Sequence, residues 1–144
     1  MIDGDENNAV SQRLAALRGK TRTGKWLHEV MLSQNASRTR FRTNGEENSG
    51  LRGRVNKAEW TASRAFTGDI VTHSLALGMQ YEQRKFRNFS ASYAGANHWA
   101  KDQQRSQFVE YLLRAGQSSF SISARHDDNQ RFANLTTLRV TATQ

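Results

Sequence analysis

The chain has 144 residues, enough for one ordinary domain, and 36% of them are hydrophobic, below the roughly 45–50% of typical soluble domains. It has no Cys, which excludes a disulfide framework, and no Pro, which suits strands whose every N–H needs a ladder partner. The formal net charge is +8, but the basic residues are spread along the chain, so charge alone is a weak indication of a nucleic-acid partner.

The sequence contains no segment that would cross a membrane as a helix, because no apolar run approaches the roughly 18 residues required. The acidic first residues also lack the apolar segment of a signal peptide. We therefore expect that the protein either is not secreted or lacks its own N-terminus in this sequence.

Alternation of apolar and polar residues with a period of two predicts about seven β-strands. The first strand is weak, and the apolar face of the second includes His28. The apolar faces of the first three strands carry Val10, Leu14 and Ala16, then Trp26, Val30 and Leu32, then Ala58, Trp60 and Ala62.

The fourth strand, predicted over residues 71–82, shows the pattern most clearly. Its odd-numbered residues are apolar apart from His73, and its even-numbered residues are small or polar. Its apolar residues are Val71, Leu75, Leu77, Met79 and Tyr81. The last three strands have apolar faces of Val109, Tyr111 and Leu113, then Phe120, Ile122 and Ala124, then Leu138, Val140 and Ala142.

Connections of two lengths are expected to alternate strictly along the chain. The short ones carry Gly where a tight hairpin needs a positive φ, and they lie at residues 21–24, 66–69 and 115–118. The long ones are polar, and they lie at residues 37–53, 87–105 and 127–134. Outer-membrane barrels have short periplasmic turns and long extracellular loops, so this alternation favours an antiparallel up-and-down transmembrane β-barrel segment, about seven strands of a larger barrel.

In such a barrel the apolar face of each strand meets lipid and the polar face lines the interior. The residues predicted to face lipid are Leu75, Leu77, Met79, Phe120, Ile122, Leu138 and Val140. Those predicted to line the lumen include Gln80, Glu82, Arg125 and Arg139. His28 and His73 fall on the lipid face near short turns, where a polar group at headgroup level costs little.

Several segments resemble TonB-dependent outer-membrane receptors. Residues 120–129 read Phe-Ser-Ile-Ser-Ala-Arg-His-Asp-Asp-Asn, and they are followed by Phe132 and by a strand that opens with Thr136. Such receptors typically show a strand ending in Gly-x-Arg-Tyr-Asp-Asp, so Ala124 replaces the Gly here and His126 the Tyr. Residues 26–33, the pair Glu59-Trp60 and residues 73–82 also resemble strands of the vitamin B12 receptor subgroup.

The resemblance covers the chain from about Gln12 to its end, and it implies that residues 1–144 are part of a barrel of about 22 strands. It further implies a plug domain, which this sequence lacks, and energy supplied through TonB, ExbB and ExbD. The ligand would be a siderophore, haem or cobalamin, which are metal-chelate ligands. The expected location is the bacterial outer membrane, where the lipid and lipopolysaccharide would be further partners.

Loop aromatics are the best candidates for ligand contact. Tyr93, His98 and Trp99 lie in the second predicted long loop, and exposed aromatics on loops often serve binding. Packing among loops explains them almost as well. The acidic residues 45–50 and the pair Asp127-Asp128 are expected to be solvated loop positions rather than calcium sites.

No catalytic triad, phosphate-binding loop or metal motif occurs in the sequence, so we predict no enzyme, no cofactor and no metal site. Two other functions stay open. One is a porin or adhesin barrel without TonB. The other is a soluble basic β-domain that binds nucleic acid, for which we expect little support because Trp60 and Tyr81 share their strand faces with apolar residues rather than with arginines. That domain would use Arg38, Arg40, Arg42, Arg52, Arg54, Arg84, Lys85 and Arg87.

Overall fold

The computed structural model describes residues 6–91, 93, 95 and 97–144, and its strands form one open antiparallel sheet. Within these residues there are seven strands, and each is hydrogen-bonded to its neighbours in chain order. Their bounds are β1 Glu6–Thr23, β2 Trp26–Thr43, β3 Glu46–Thr67, β4 Val71–Ser90, β5 His98–Ala115, β6 Ser118–Asn129 and β7 Leu135–Thr143. The prediction of an all-β, up-and-down arrangement of seven strands is therefore confirmed.

The predicted short connections are tight turns built on glycine. Gly24 and Gly116 have φ angles of 60° and 58°, which a side chain would make unfavourable. The positive φ predicted for Gly68 between β3 and β4 is wrong, because Gly68 is not among the glycines of positive φ; its amide instead donates a hydrogen bond of 2.9 Å to the Val71 carbonyl. These turns join strands of opposite direction, as the glycine positions predicted.

The predicted long connections are wrong in extent. No loop occupies residues 37–53, because β2 continues to Thr43 and β3 begins at Glu46. Asn44 and Gly45 alone form the turn, with φ angles of 52° and 81°, a combination typical of a type I′ hairpin. The acidic residues that follow Gly45 therefore lie on a strand rather than on a loop tip.

The other two connections are shorter than predicted, although each is longer than a tight turn. Residues 91–97 join β4 to β5, and residues 130–134 join β6 to β7. Asp127 and Asp128 lie within β6 and are paired with Ser106 and Arg105. Strict alternation of short and long connections is therefore also wrong, because polar composition does not prevent residues from pairing in a sheet.

The alternation of faces is confirmed where the strand register is defined. Tyr111 pairs with Ile122, and Ile122 pairs in turn with Val140, so these side chains share one face. On the opposite face Ser106 pairs with Asp127, and Ser123 pairs with Arg139. The apolar face of β5–β7 comprises Val109, Tyr111, Leu113, Phe120, Ile122, Ala124, Leu138, Val140 and Ala142.

The chain buries very little of its apolar surface. Among the described residues only Gly50, Ala62, Gly78 and Ser106 are buried. Ile122 and Val140 are 38% and 57% exposed, so the apolar side chains of β6 and β7 are not covered by a second layer.

Backbone contacts divide the chain into two compact units. The first unit contains residues 6–16, 33–56 and the described residues of 83–102, and it includes the Asn44–Gly45 turn. The second unit contains residues 17–32, 57–82 and 103–144, and it includes the glycine turns at Gly24, Gly68 and Gly116. In the described part of the chain, no helix is long and apolar enough to span a membrane.

Candidate functional site

A groove of about 480 Å³ in the first unit is lined mainly by positively charged side chains. We call it the basic groove. Its cationic residues are Arg13, Arg38, Arg40, Arg52, Arg54, Lys85 and Arg87. Its remaining lining residues are Ser11, Ala36, Ser37, Gly53, Phe86 and Trp99, so no carboxylate lines it.

Five neighbouring strands, β1 to β5, contribute to the basic groove. β2, β3 and β4 each supply two cations separated by one residue, and residues at that spacing point to the same side of a strand. The pairs are Arg38 with Arg40, Arg52 with Arg54, and Lys85 with Arg87. Strand pairing thus converts three separated pairs of the sequence into one cluster.

The charge of the basic groove is mostly uncompensated. Among the described ion pairs, Arg38 is the only groove cation with a carboxylate partner, which is Glu47 at 3.1 Å. The Nε atom of Arg38 is shielded from solvent and has no hydrogen-bond acceptor within the described residues. Neighbouring like charges in water repel by about 1 kcal/mol or less per pair, so the cluster can exist in solvent yet favours a bound anion.

The predicted ligand-contact residues are only partly associated with this groove. Trp99 lines it and is 67% exposed, whereas Tyr93 and His98 are not among its lining residues. His98 and Trp99 also lie on β5 rather than on a loop, which corrects the predicted placement. Contact of Tyr93, His98 and Trp99 with a ligand stays a prediction.

A hydrogen-bonded cluster lies on the polar face of β5 and β6 in the second unit. The Arg125 Nε atom donates to both carboxylate oxygens of Asp127, at 3.0 and 3.1 Å. The Ser106 hydroxyl donates to Asp127 and accepts a bond of 2.9 Å from Arg125, while Gln104 donates to Asp127 at 3.1 Å. All of these donors and acceptors belong to one chain and satisfy one another, so the cluster has a structural role.

Removing the arginine of this cluster should destabilise the sheet. Replacing Arg125 with Met would leave the largely buried Asp127 carboxylate without its charged partner, and we expect a loss of about 1–3 kcal/mol in the free energy of unfolding. Urea titration in detergent micelles measures this loss. Arg139→Met is the matched control, because Arg139 is exposed on the same face and has no ion pair among the described residues. Equal losses for both variants would contradict the structural role of the cluster.

The residues predicted to line the lumen lie on β4, β6 and β7. Arg139 shares the polar face of β6 and β7 with Arg125. Gln80 and Glu82 lie on β4 and are half-buried. His28 stacks on Trp60 with ring centroids 6.0 Å apart, and His73 Nδ1 is hydrogen-bonded to the Tyr111 hydroxyl, so both histidines of the apolar strand faces have aromatic partners.

No group of three or more metal-ligating side chains occurs among the described residues. Comparison with protein-family models, with curated proteins and with solved structures found no match for this chain.

Proposed function

We propose that this chain forms a section of the wall of an outer-membrane β-barrel receptor. One observation carries the proposal: the apolar face of the sheet is exposed, with Phe120, Ile122, Leu138 and Val140 all at least a third accessible to solvent. A soluble protein of this size covers such a face with a second layer. A barrel wall needs no second layer, because hydrocarbon covers the outer face.

The strands are also suited to crossing a bilayer. β1 to β5 have 18 to 22 residues, whereas a tilted transmembrane strand needs about 9–11. Their apolar segments can therefore span the hydrocarbon while their polar ends extend beyond it. Within the described sheet β1 and β7 each have one strand neighbour, and in the proposed barrel further strands would complete both edges.

One polar pair on the apolar face is hydrogen-bonded internally, which suits exposure of this face to lipid. His73 Nδ1 and the Tyr111 hydroxyl satisfy each other, while the His28 ring stacks on the indole of Trp60. An unpaired polar group in hydrocarbon costs several kcal/mol, so such pairing is required on a lipid-facing surface. Tyr and Trp are also enriched where a membrane protein meets the headgroup region.

Assignment to a receptor rests on a sequence resemblance to TonB-dependent receptors. The segments that carry it are residues 120–129 with Phe132 and 136–140, residues 26–33, the pair Glu59-Trp60 and residues 73–82. In that assignment the full protein takes up a siderophore, haem or cobalamin-type ligand, driven by TonB, ExbB and ExbD, with a plug domain inside the barrel. The protein is then a transporter and not an enzyme. It resides in the outer membrane and contacts lipid and lipopolysaccharide.

A second candidate function is nucleic-acid binding by a soluble sheet. The basic groove favours it, because six of the eight arginine and lysine residues expected for such binding line the groove together with Trp99 and Phe86. Arginine clusters beside aromatic rings are typical of single-strand binding. The exposed apolar face argues against this candidate, because it would drive a soluble sheet to aggregate.

Refolding with and without lipid tests the barrel proposal. The full protein that carries this chain is diluted from urea into neutral phosphatidylcholine vesicles or into buffer alone, and its circular dichroism and protease resistance are measured. We expect a β spectrum and protected fragments only with vesicles. A folded monomer in lipid-free buffer would overturn the barrel proposal. In cells, deletion of the full gene should abolish TonB-dependent uptake of a siderophore, haem or cobalamin. Unchanged uptake of all three would contradict the receptor assignment.

A further inference from the structure

We infer that the basic groove binds the phosphate groups of a multiply phosphorylated lipid headgroup in the membrane leaflet around the barrel. The inference rests on the proposed function, since it places the groove beside a bilayer. It assigns to Arg13, Arg38, Arg40, Arg52, Arg54, Lys85 and Arg87 a joint role that none of them has alone.

The composition of the groove selects the chemical class of the ligand. Six of the seven cations are arginines, whose planar guanidinium groups bind phosphate through two parallel hydrogen bonds. With Glu47 compensating only Arg38 among the described ion pairs, the groove can neutralise several negative charges at once. A ligand with a single carboxylate would leave most of these cations unpaired.

The size of the groove fits a headgroup of one or two phosphorylated sugars. Its volume of about 480 Å³ falls within the roughly 300–1,000 Å³ of pockets that hold small ligands. The Nε atom of Arg38 lacks an acceptor among the described residues, so its guanidinium group is not fully hydrogen-bonded by Glu47. The groove therefore offers both space and a guanidinium group that Glu47 does not fully occupy.

Its aromatic residues favour a lipid rather than a soluble polyanion. Trp99 is 67% exposed and Phe86 is 45% exposed at the groove. Tryptophan prefers the membrane interface, where its apolar ring meets acyl chains and its N–H meets the headgroup layer. On β4 the residues that continue the odd-numbered series beyond Leu77, Met79 and Tyr81 are Gln83, Lys85 and Arg87, so the apolar spacing of this strand passes into basic residues.

Binding in neutral maltoside micelles tests the inference with the full protein that carries this chain, because the described sheet by itself has two open edges. The probes are a bisphosphorylated lipid A, the same lipid with its phosphates removed, inorganic pyrophosphate and a single-stranded oligonucleotide. We expect the phosphorylated lipid to bind on the order of tenfold more tightly than the dephosphorylated one, and its affinity to fall with added salt. Pyrophosphate should compete weakly, since it shares the phosphates but lacks the acyl chains.

A triple variant with a matched control separates the groove from overall charge. Arg52→Gln, Arg54→Gln and Arg87→Gln together should weaken binding of the phosphorylated lipid by about tenfold or more. Arg22→Gln, Lys25→Gln and Arg114→Gln remove the same charge from exposed positions outside the groove and should change the affinity by less than about twofold.

Three results would overturn the inference: equal losses for both triple variants, equal binding of the dephosphorylated lipid, or tighter binding of the oligonucleotide than of the lipid. Refolding into neutral phosphatidylcholine vesicles involves no anionic headgroup, so a chain that inserts there but ignores the phosphorylated lipid would overturn only the groove assignment. A chain that folds in neither vesicles nor micelles would overturn the barrel proposal and the inference together.

Discussion

Replacing Ile122 with arginine is expected to destabilise the chain in phosphatidylcholine vesicles by about 2–4 kcal/mol, whereas Ser121→Arg should cost less than about 1 kcal/mol. The two residues are adjacent on β6 but belong to opposite faces, because Ile122 pairs with Tyr111 and Val140 while Ser121 pairs with Leu112 and Thr141. A charge on the lipid-facing side must be taken into hydrocarbon, and one on the interior side stays in water. Urea titration followed by tryptophan fluorescence measures both losses.

A second pair on the neighbouring strand controls for local effects at β6. Val140 and Thr141 are again adjacent and of opposite face, so Val140→Arg should be costly and Thr141→Arg tolerated. If Ser121→Arg and Thr141→Arg were instead the more destabilising variants, the polar face of the sheet would be the one in contact with lipid. The assignment of faces would then be reversed. Equal costs on both faces would contradict contact of either face with lipid.

Gly78→Ala is expected to destabilise the second unit by about 1–3 kcal/mol, a cost typical of an overpacked site. Gly78 is buried, and a Cβ atom at this position would lie 2.5 Å from Cε1 of Phe108 and 2.8 Å from the Trp60 carbonyl oxygen. The ring can move, but the carbonyl belongs to the neighbouring backbone and cannot move without disturbing strand pairing. Chemical denaturation in micelles measures the loss.

Gly19→Ala is the matched control for Gly78→Ala. Gly19 also lies within a strand, but nothing lies within 4 Å of a Cβ atom built there. We expect this variant to be neutral or slightly more stable, because alanine restricts the unfolded chain. In a Phe108→Ala background, Gly78→Ala should cost less than in the wild type but not zero, because only the contact with the ring is removed. No cost in that background would show that the Trp60 carbonyl imposes no restriction.

The amino-acid sequence predicted the strands well, because alternation depends on local geometry alone. The apolar residues of β6 and β7, Phe120 to Ala124 and Leu138 to Ala142, were assigned to one face from their spacing, and the register places them there. The turns at Gly24 and Gly116 were also found, since each needs a positive φ that glycine adopts readily.

The turn at Asn44–Gly45 was missed although its dipeptide is a strong hairpin signal. The flanking residues are polar and carry several charges, and such a composition is typical of a loop. Such residues pair as strands here because the backbone supplies the ladder hydrogen bonds whatever the side chains are. The Asn-Gly dipeptide was therefore the signal that could have located the hairpin.

Two features required the tertiary structure. Ser106, Arg125 and Asp127 are individually ordinary residues, and only the pairing of β5 with β6 makes them a closed hydrogen-bonded cluster. Likewise Arg13, Arg40 and Arg87 are remote in the sequence, and they line one groove because five strands lie side by side.

The sequence by itself determined which residues form strands, where several tight turns occur and which side chains share a face. These properties depend on the conformational preferences and two-residue period of a short segment. Only the tertiary structure decided which residues of neighbouring strands lie opposite each other, because register depends on the sum of many backbone and side-chain contacts between segments distant in the chain. The basic groove belongs to this second class, since its charge comes from five strands rather than from any one segment.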